Sequence, residues 1–204
     1  MSIKLKHSGG NSVSLNPPTS APTSSEVAFK LPNADGSADQ LLKTDGSGNL
    51  SWTTPGAGKI LQVVSQNLTT QMSTSSTSYV DTGLTASITP SATTSKVLVI
   101  LCIATAISGD HNGYLRLLRD STEINSGSGG DTNSMFGING NSTAFRYAPV
   151  MHTSNFYDTP STTSATTYKV QVRSHSGYAM FINRRGLDTN FGVASNITLY
   201  EVGA

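Results

Sequence analysis

Residues 96–107 read KVLVILCIATAI, the most apolar run of the chain. A half-exposed strand alternates apolar and polar side chains, but Val97–Ile103 is apolar at both sets of alternating positions. This pattern predicts a central strand, covered on one face by a second sheet and on the other by a neighbouring subunit. The residues expected in the core of the oligomer are Val97, Leu98, Val99 and Leu101.

Shorter β-branched runs, separated by turns rich in Gly, Ser and Asp, lie on both sides of this strand. Thr167–Ser174 alternates cleanly, with Tyr168, Val170 and Val172 on one face, which predicts a half-exposed strand. Many short strands without a helical period predict an all-β fold, an antiparallel two-sheet jelly-roll sandwich. The predicted strands are Ile60–Ser65, Tyr79–Val80, Leu84–Thr89, Lys96–Ile107, Gly113–Arg119, Ser134–Ile138, Phe145–Thr153, Thr167–Ser174, Tyr178–Asn183 and Asn196–Val202.

The first 58 residues differ in composition from the rest of the chain. They are rich in Ser, Thr, Pro, Asn and Gly, with scattered apolar residues that are too few to offset ~1–2 kcal/mol of backbone entropy per ordered residue. We therefore expect two parts: an extended N-terminal stalk or anchoring segment, residues 1–58, ordered only by trimerisation or a partner, and a compact β domain, residues 59–204.

Turn signals place short hairpins in this front part. Asp45-Gly-Ser-Gly48 is typical of a tight turn and predicts a hairpin between Gln40–Thr44 and Asn49–Thr53. The weak alternation within Ser2–Leu15 is compatible with another short hairpin. Thr54–Gly58, with its Pro and Gly residues, is the predicted linker.

Charge and targeting signals exclude several classes of protein. The chain has 13 Lys and Arg against 12 Asp and Glu, so it lacks the basic excess of a nucleic-acid-binding protein. The N-terminus has no apolar segment typical of a secretory signal. Val97–Ile107 is shorter than the ~20 residues that span a bilayer, so no membrane insertion is expected. Cys102, the only cysteine, excludes an intramolecular disulfide and is expected to be a small buried hydrophobe.

Motifs of common active sites and metal sites are absent from the sequence. His7, His111, His152 and His175 lie far apart without metal-ligand spacing, so no metal or cofactor is expected. Asp45–Asn49 resembles the start of a calcium loop but lacks its later Gly and bidentate Glu. No Gly-x-Ser-x-Gly motif and no carboxylate pair of a glycosidase, as a depolymerase would need, is recognisable. We therefore expect a protein that is not an enzyme.

The most distinctive polar cluster is the turn Phe181-Ile-Asn-Arg-Arg-Gly-Leu-Asp188. Two adjacent arginines can grip a carboxylated or phosphorylated glycan through paired hydrogen bonds. The alternative is that one arginine pairs with Asp188 and the other is solvated or bridges subunits. Aromatic side chains elsewhere can stack on sugars, although more often they cap the edge of a sandwich. The candidate binding residues are Asn183, Arg184, Arg185 and Asp188, followed by Tyr157, Asp158, His111 and Tyr178.

Five stretches carry a resemblance to a known group of proteins: Ser75–Pro90 with Ser95–Val99, Tyr114–Asp120, Phe181–Arg185 and Ser195–Val202. These resemble the C-terminal modules of tail-fibre and other virion-fibre proteins of marine tailed phages. The segment Lys30–Trp52 is similar to one that recurs in such virion proteins. The resemblance implies a homotrimeric jelly-roll head, similar in architecture to tumour-necrosis-factor and C1q heads, on a virion-anchoring stalk.

The resemblance thus implies a structural protein of a phage virion, assembled in the bacterial host cytoplasm. Residues 1–58 would dock on other virion proteins of the tail or capsid, and the jelly roll would bind a host cell-surface glycan or protein. Several weak sites per particle would raise avidity by ~10²–10⁴. Two alternatives stay open at this point: a head-decoration or head-fibre protein of the capsid, and a soluble carbohydrate-binding module.

Overall fold

The computed structural model describes residues 3–6, 8–10, 12–16, 18–23, 26–54, 59–128, 134–139 and 148–203. The chain divides into two compact units, residues 1–55 and 56–204, with the division inside the predicted linker. The regular elements of the described ranges are β-strands, and each pair of named strands is antiparallel. The predicted all-β, antiparallel class is therefore confirmed. Within the same ranges, no helix has the length and apolarity to cross a membrane.

The described residues of the first unit form two hairpins, the possible one within Ser2–Leu15 and the predicted one around Asp45. Its turn is held by Asp45, whose carboxylate accepts hydrogen bonds from the N–H groups of Ser47 at 2.8 Å and Asn49 at 3.1 Å. Hydrogen bonds, first that from the Asn49 side chain, lower the pKa of Asp45. Gly46 and Gly48 supply φ values of 82° and 87°, which few other residues adopt. The hairpins are β1 (Ile3–Lys6) with β2 (Ser12–Leu15), and β3 (Leu41–Thr44) with β4 (Leu50–Thr53).

Side chains of the first unit lie largely in solvent. Trp52 is fixed, because its Nε1 donates to the Ala34 carbonyl at 2.9 Å and its ring lies against Gly36. Phe29, by contrast, is 70% exposed. None of the side chains described in this unit is fully buried, so hairpins form here without a visible core. Other large apolar side chains exposed in this unit are Val27, Leu31, Leu41 and Leu42.

One sheet of the second unit is called the front sheet here. Its strands are β7 (Val80–Ile88), β9 (Asn112–Arg119), β10 (Thr122–Ile124), β11 (Phe136–Asn139) and β13 (Thr166–Ser174). β13 lies between β7 and β9. The other edge of β9 pairs with β10 at one end and with β11 at the other.

The other sheet, called the back sheet, has the strands β5 (Ile60–Leu68), β6 (Met72–Thr74), β8 (Lys96–Ile107), β12 (Val150–Asp158), β14 (Met180–Ile182) and β15 (Ser195–Val202). It is built around β8, whose predicted bounds and central position are confirmed. β15 lies between β5 and β8. The second edge of β8 pairs first with β12 and then with β14, which also pairs with β6.

The core lies between these sheets, because each strand turns one alternating set of side chains inward. On β13, Tyr168, Val170 and Val172 are fully buried, whereas Lys169 and Gln171 are partly exposed, as the alternation predicts. The apolar side chains that the back sheet contributes include Val97, Val99, Leu101, Ile103, Ile197 and Leu199.

The sequence predicts two separate strands, one before and one after Asp81-Thr-Gly83, but the structure has the single strand β7 there. Gly83 has a φ of 88°, and the register with β13 shifts between Lys169 and Gln171. The glycine therefore marks a β-bulge inside the strand, not a turn between two strands.

Three further strands differ from the prediction. β12 begins and ends later than the predicted Phe145–Thr153, of which residues 145–147 lie outside the described residues. β6 and β10 are not predicted, because three residues are too few to show a period. The other predicted strands of the second unit overlap those observed.

Candidate binding surfaces

Asn183, expected on the surface, is buried with 0% exposure. Its φ of 61° is a conformation that Asn tolerates better than most residues. The side-chain Nδ2 donates to the carbonyl oxygens of Leu68 at 2.7 Å and Thr70 at 3.1 Å, and Oδ1 accepts from the Ser195 hydroxyl. Both Nδ2 and Oδ1 of Asn183 are thus hydrogen-bonded within the second unit. Asn183 fastens the chain after β14 to the end of β5 and is not positioned to contact a receptor.

The two neighbouring arginines have partners within the chain. Nε and Nη2 of Arg185 donate to the two carboxylate oxygens of Asp188 at 2.8 and 2.6 Å. This bidentate pair holds the pKa of Asp188 below its ordinary value. The guanidinium of Arg184 lies over the ring of Phe181, with Cζ 4.6 Å from the ring centroid. The arrangement is therefore the alternative in which one arginine pairs with Asp188.

Tyr157 and Asp158 are adjacent in sequence but lie on opposite faces of β12. Tyr157 faces outward and is 53% exposed, whereas Asp158 is buried. The Asp158 carboxylate accepts from Nη1 of Arg119 at 2.9 and 3.0 Å and from the hydroxyl of Tyr168 at 2.7 Å. Burial and then the bond to Asp158 raise the pKa of Tyr168, so the hydroxyl stays a donor. Asp158 is thus a structural residue that links the sheets.

His111 and Tyr178, far apart in sequence, are brought together. The pairing of β9 with β13 continues until Gly113 lies opposite Ser174, so the loop before β9 and the loop after β13 share one end of the sandwich. The two rings stack there, with centroids 3.4 Å apart and planes inclined by 15°. Tyr178 is 43% exposed. Two of the predicted candidates therefore form one surface feature, the His111–Tyr178 pair.

A band of aromatic and charged side chains on the outer face of the front sheet was not predicted. Cζ of Arg116 lies 4.1 Å from the ring centroid of Tyr79. Cζ of Arg173 lies 5.3 Å from that centroid and 5.0 Å from the centroid of Tyr114. Glu123 pairs with Arg116 at 3.3 Å. Alternation in β9 and β13 indicates which side chains face outward, but the placement of arginines over rings depends on cross-strand register.

The residues expected in the oligomer core divide between the two faces of β8. Val97, Val99 and Leu101 are buried against the front sheet and belong to the core of the single chain. Leu98 points the other way, with Ile100 and Cys102. Ile100 is 40% exposed. An oligomer contact on this strand would therefore be made by Leu98, Ile100 and Cys102.

Neighbouring strands extend this outward surface. Tyr200 of β15 and Tyr157 of β12 pair with Leu98 on either side, and Val63 of β5 pairs with Tyr200. A groove of about 310 Å³ lies beside Ile100, bordered by residues of β8 and β12. The outward positions in the middle of these four strands carry no charged side chain among the residues that the structure describes. This surface, called the back face, consists of Val63, Ser65, Leu98, Ile100, Cys102, Met151, Thr153, Asn155, Tyr157, Asn196, Thr198 and Tyr200.

The histidines are distributed over separate places. Nε2 of His152 lies 2.9 Å from Oγ1 of Thr105, its ring is 5.4 Å from that of Phe136, and burial lowers the pKa of His152. His175 meets Tyr114 edge-on, whereas His7 lies outside the described residues. Of the described residues, no three His, Cys, Asp or Glu side chains are grouped so as to hold a metal ion.

No family model matches the chain, and no curated protein matches it either. The back face, the His111–Tyr178 pair and the aromatic band of the front sheet are therefore the features from which a function is inferred.

Proposed function

We propose that the chain is a structural protein of a phage virion, a homotrimeric fibre or spike. Its first unit would dock on other virion proteins, and its second unit would be a jelly-roll head that meets the host surface. The observation that carries the proposal is the back face, whose outward side chains are uncharged and partly apolar. The resemblance of the sequence to fibre proteins of marine tailed phages agrees with it.

The strand order supports a jelly roll. In the second unit, β7, β8 and β9 follow one another in the chain but alternate between the front and back sheets. The last strand, β15, returns to lie beside the first long strand, β5. Both features are typical of Greek-key sandwiches, of which the jelly roll is a double form.

The back face supports assembly of several copies. Leu98 and Ile100 lie in the central part of the back sheet. An exposed apolar patch of this kind is typical of an interaction site. Identical chains close such contacts by cyclic symmetry, which leaves no patch uncovered. A trimer is the state implied by the sequence resemblance, and the lack of charge on the back face imposes no electrostatic repulsion between copies.

The first unit supports docking on the virion. Phe29 and Leu31 are mostly exposed, and Trp52 is held by a single described hydrogen bond. Side chains of this kind become buried when a segment meets a partner, and that burial supplies the free energy that the isolated segment lacks. A soluble carbohydrate-binding module would not need such a segment.

Immunogold electron microscopy tests the proposal on purified particles of the phage that encodes the chain. An antibody against the second unit should label the tip of tail structures if the chain is a tail fibre. Labelling of the capsid surface would assign it to head decoration or a head fibre. Particles that bind no more antibody than an unrelated phage would contradict a virion role and favour the soluble module.

A further inference from the structure

We propose that the His111–Tyr178 pair is the receptor-contacting site of the head and that it binds a neutral pyranose sugar by stacking. This inference rests on the proposed host-surface role and names the ligand class for it. It also moves the site away from the Arg184–Arg185 turn, whose guanidinium groups already have partners inside the chain.

The pair lies outside the core and does not serve to close it. Met180 and Ile107, both fully buried, fill this end of the space between the sheets. Met180 packs so closely on Gly113 that a Cβ at that glycine would lie 2.2 Å from the Met180 sulfur. The core is therefore complete without Tyr178, and the Tyr178 ring is left at the surface.

The pair is held in place by the backbone of its two loops. The N–H of Ser108 donates to the Ala179 carbonyl at 2.9 Å, and the N–H of Ala179 donates back to Oγ of Ser108 at 3.0 Å. Gly109 sits beneath both rings, because a Cβ built there would be 3.4 Å from His111 and 3.5 Å from Tyr178. An aromatic ring fixed before the ligand arrives loses little conformational freedom on binding.

The chemistry of the pair suits a sugar. A pyranose presents an apolar face of C–H groups that can lie on the flat face of an aromatic ring, while its hydroxyls need donors and acceptors at the rim. One face of the Tyr178 ring rests on His111, and the side chain is 43% exposed, so part of its remaining surface is open to solvent. Asp110 and His175, both exposed, lie on the same two loops and supply polar groups.

Other rings at the surface of the second unit fit this role less well. The ring of Tyr79 lies under the guanidinium of Arg116, 4.1 Å from its centroid. Tyr157 belongs to the back face, which the proposed trimer would cover. With Tyr178, three copies around one axis would each present a ring, and weak single-site binding would add up to strong adhesion.

Binding of the full-length protein to polyacrylamide surfaces that carry β-galactose, β-glucose or glucuronic acid tests the inference. We expect binding to at least one neutral sugar, insensitive to salt because stacking involves no net charge. Tyr178→Ala should weaken the binding about tenfold per site, whereas Tyr178→Trp should preserve it. The double variant Arg184→Ala with Arg185→Ala, the matched control, should bind like the wild type.

Three outcomes would overturn the inference: no binding to either neutral sugar, binding that Tyr178→Ala leaves unchanged, or binding to glucuronic acid alone that the double arginine variant abolishes. The last would return the site to the arginine turn. Each variant should keep the melting temperature and the oligomer mass of the wild type. Failure on the sugar surfaces with unchanged mass and unchanged labelling of phage particles would remove this inference while leaving the proposed virion role intact.

Discussion

The hydroxyl of Tyr168 on β13 donates to Oδ2 of Asp158 on β12 at 2.7 Å, and this bond joins the front sheet to the back sheet. Arg119 on β9 donates to the same carboxylate. A buried carboxylate needs such partners, because an unpaired charge in an apolar interior is strongly unfavourable. One acidic side chain therefore holds together three strands from two sheets.

Replacing this carboxylate should destabilise the second unit. We expect Asp158→Asn to reduce the free energy of unfolding by ~2–3 kcal/mol, because Arg119 and Tyr168 lose a charged acceptor while remaining partly or fully buried. Denaturant titration at fixed protein concentration measures the change. The exposed Asp110→Asn is the control and should change stability by less than ~0.5 kcal/mol. Equal effects of the two substitutions would show that the buried network adds nothing.

The stability of the second unit should fall in acid partly through Glu201. Its carboxylate accepts from the N–H and the hydroxyl of Ser91, both at 2.6 Å. Burial raises the pKa of Glu201, but these bonds outweigh burial, and the pKa lies below its ordinary value of 4.5. A carboxyl with a depressed folded pKa stabilises the protein above its unfolded pKa, and that stabilisation is lost as pH falls through the folded pKa.

The variant Glu201→Gln should therefore melt at a lower temperature than the wild type at about pH 7, and the difference should be smaller at about pH 3. Thermal melts followed by circular dichroism at both values test this. A gap between variant and wild type that is as wide in acid as at neutral pH would mean that the ionised form of Glu201 contributes no stability.

A side chain at Gly113 should destabilise the second unit. A Cβ there would lie 2.2 Å from the sulfur of Met180, whereas a Cβ at Gly137, on the neighbouring strand, would meet nothing within 4 Å. We expect Gly113→Ala to cost ~1–3 kcal/mol of stability through overpacking, with part of the loss restored by adding Met180→Ala. Gly137→Ala is the control, with little change expected. A Gly113→Ala protein that melts like the Gly137→Ala protein would contradict the close packing.

Cys102 reports directly on the back face. It is the only cysteine of the chain and is partly exposed in the single chain. If other copies cover the back face, a maleimide reagent should label the native protein slowly. Labelling should be several times faster in an Ile100→Asp variant, because a buried unpaired charge prevents assembly. Rapid labelling of the wild type, at the rate of the variant, would show that nothing covers this face.

Strong local signals allowed much of the fold to be predicted from the sequence. β8 is unusually long and apolar, and the Asp45 turn combines a carboxylate acceptor with two glycines at positive φ. Gly83 was misleading because a glycine at positive φ serves a turn and a β-bulge equally well. The pairing of β7 with β13 distinguishes a β-bulge from a turn here, and this register cannot be inferred from the sequence around Gly83 alone.

The binding surfaces were harder to predict because they depend on residues distant in the chain. The residues around Asn183 are typical of a surface turn. Asn183 is nevertheless buried, and its side chain donates to the carbonyl groups of Leu68 and Thr70, which lie more than a hundred positions earlier in the chain. The same holds for His111 and Tyr178, which only the pairing of β9 with β13 brings into contact. Residue type indicates which side chains could bind a ligand, whereas the register of the strands decides which of these side chains are in contact.

The mass of the full-length protein in solution, measured by light scattering at micromolar concentration, tests the central claim most directly. We expect three times the 21.3 kDa of one chain. Ile100→Asp should reduce the mass to that of a single chain. Thr85→Asp, which places the same charge at an exposed position of the front sheet, should leave the trimer intact. A wild-type protein with the mass of one chain, or an Ile100→Asp variant that remains trimeric, would contradict assembly through the back face.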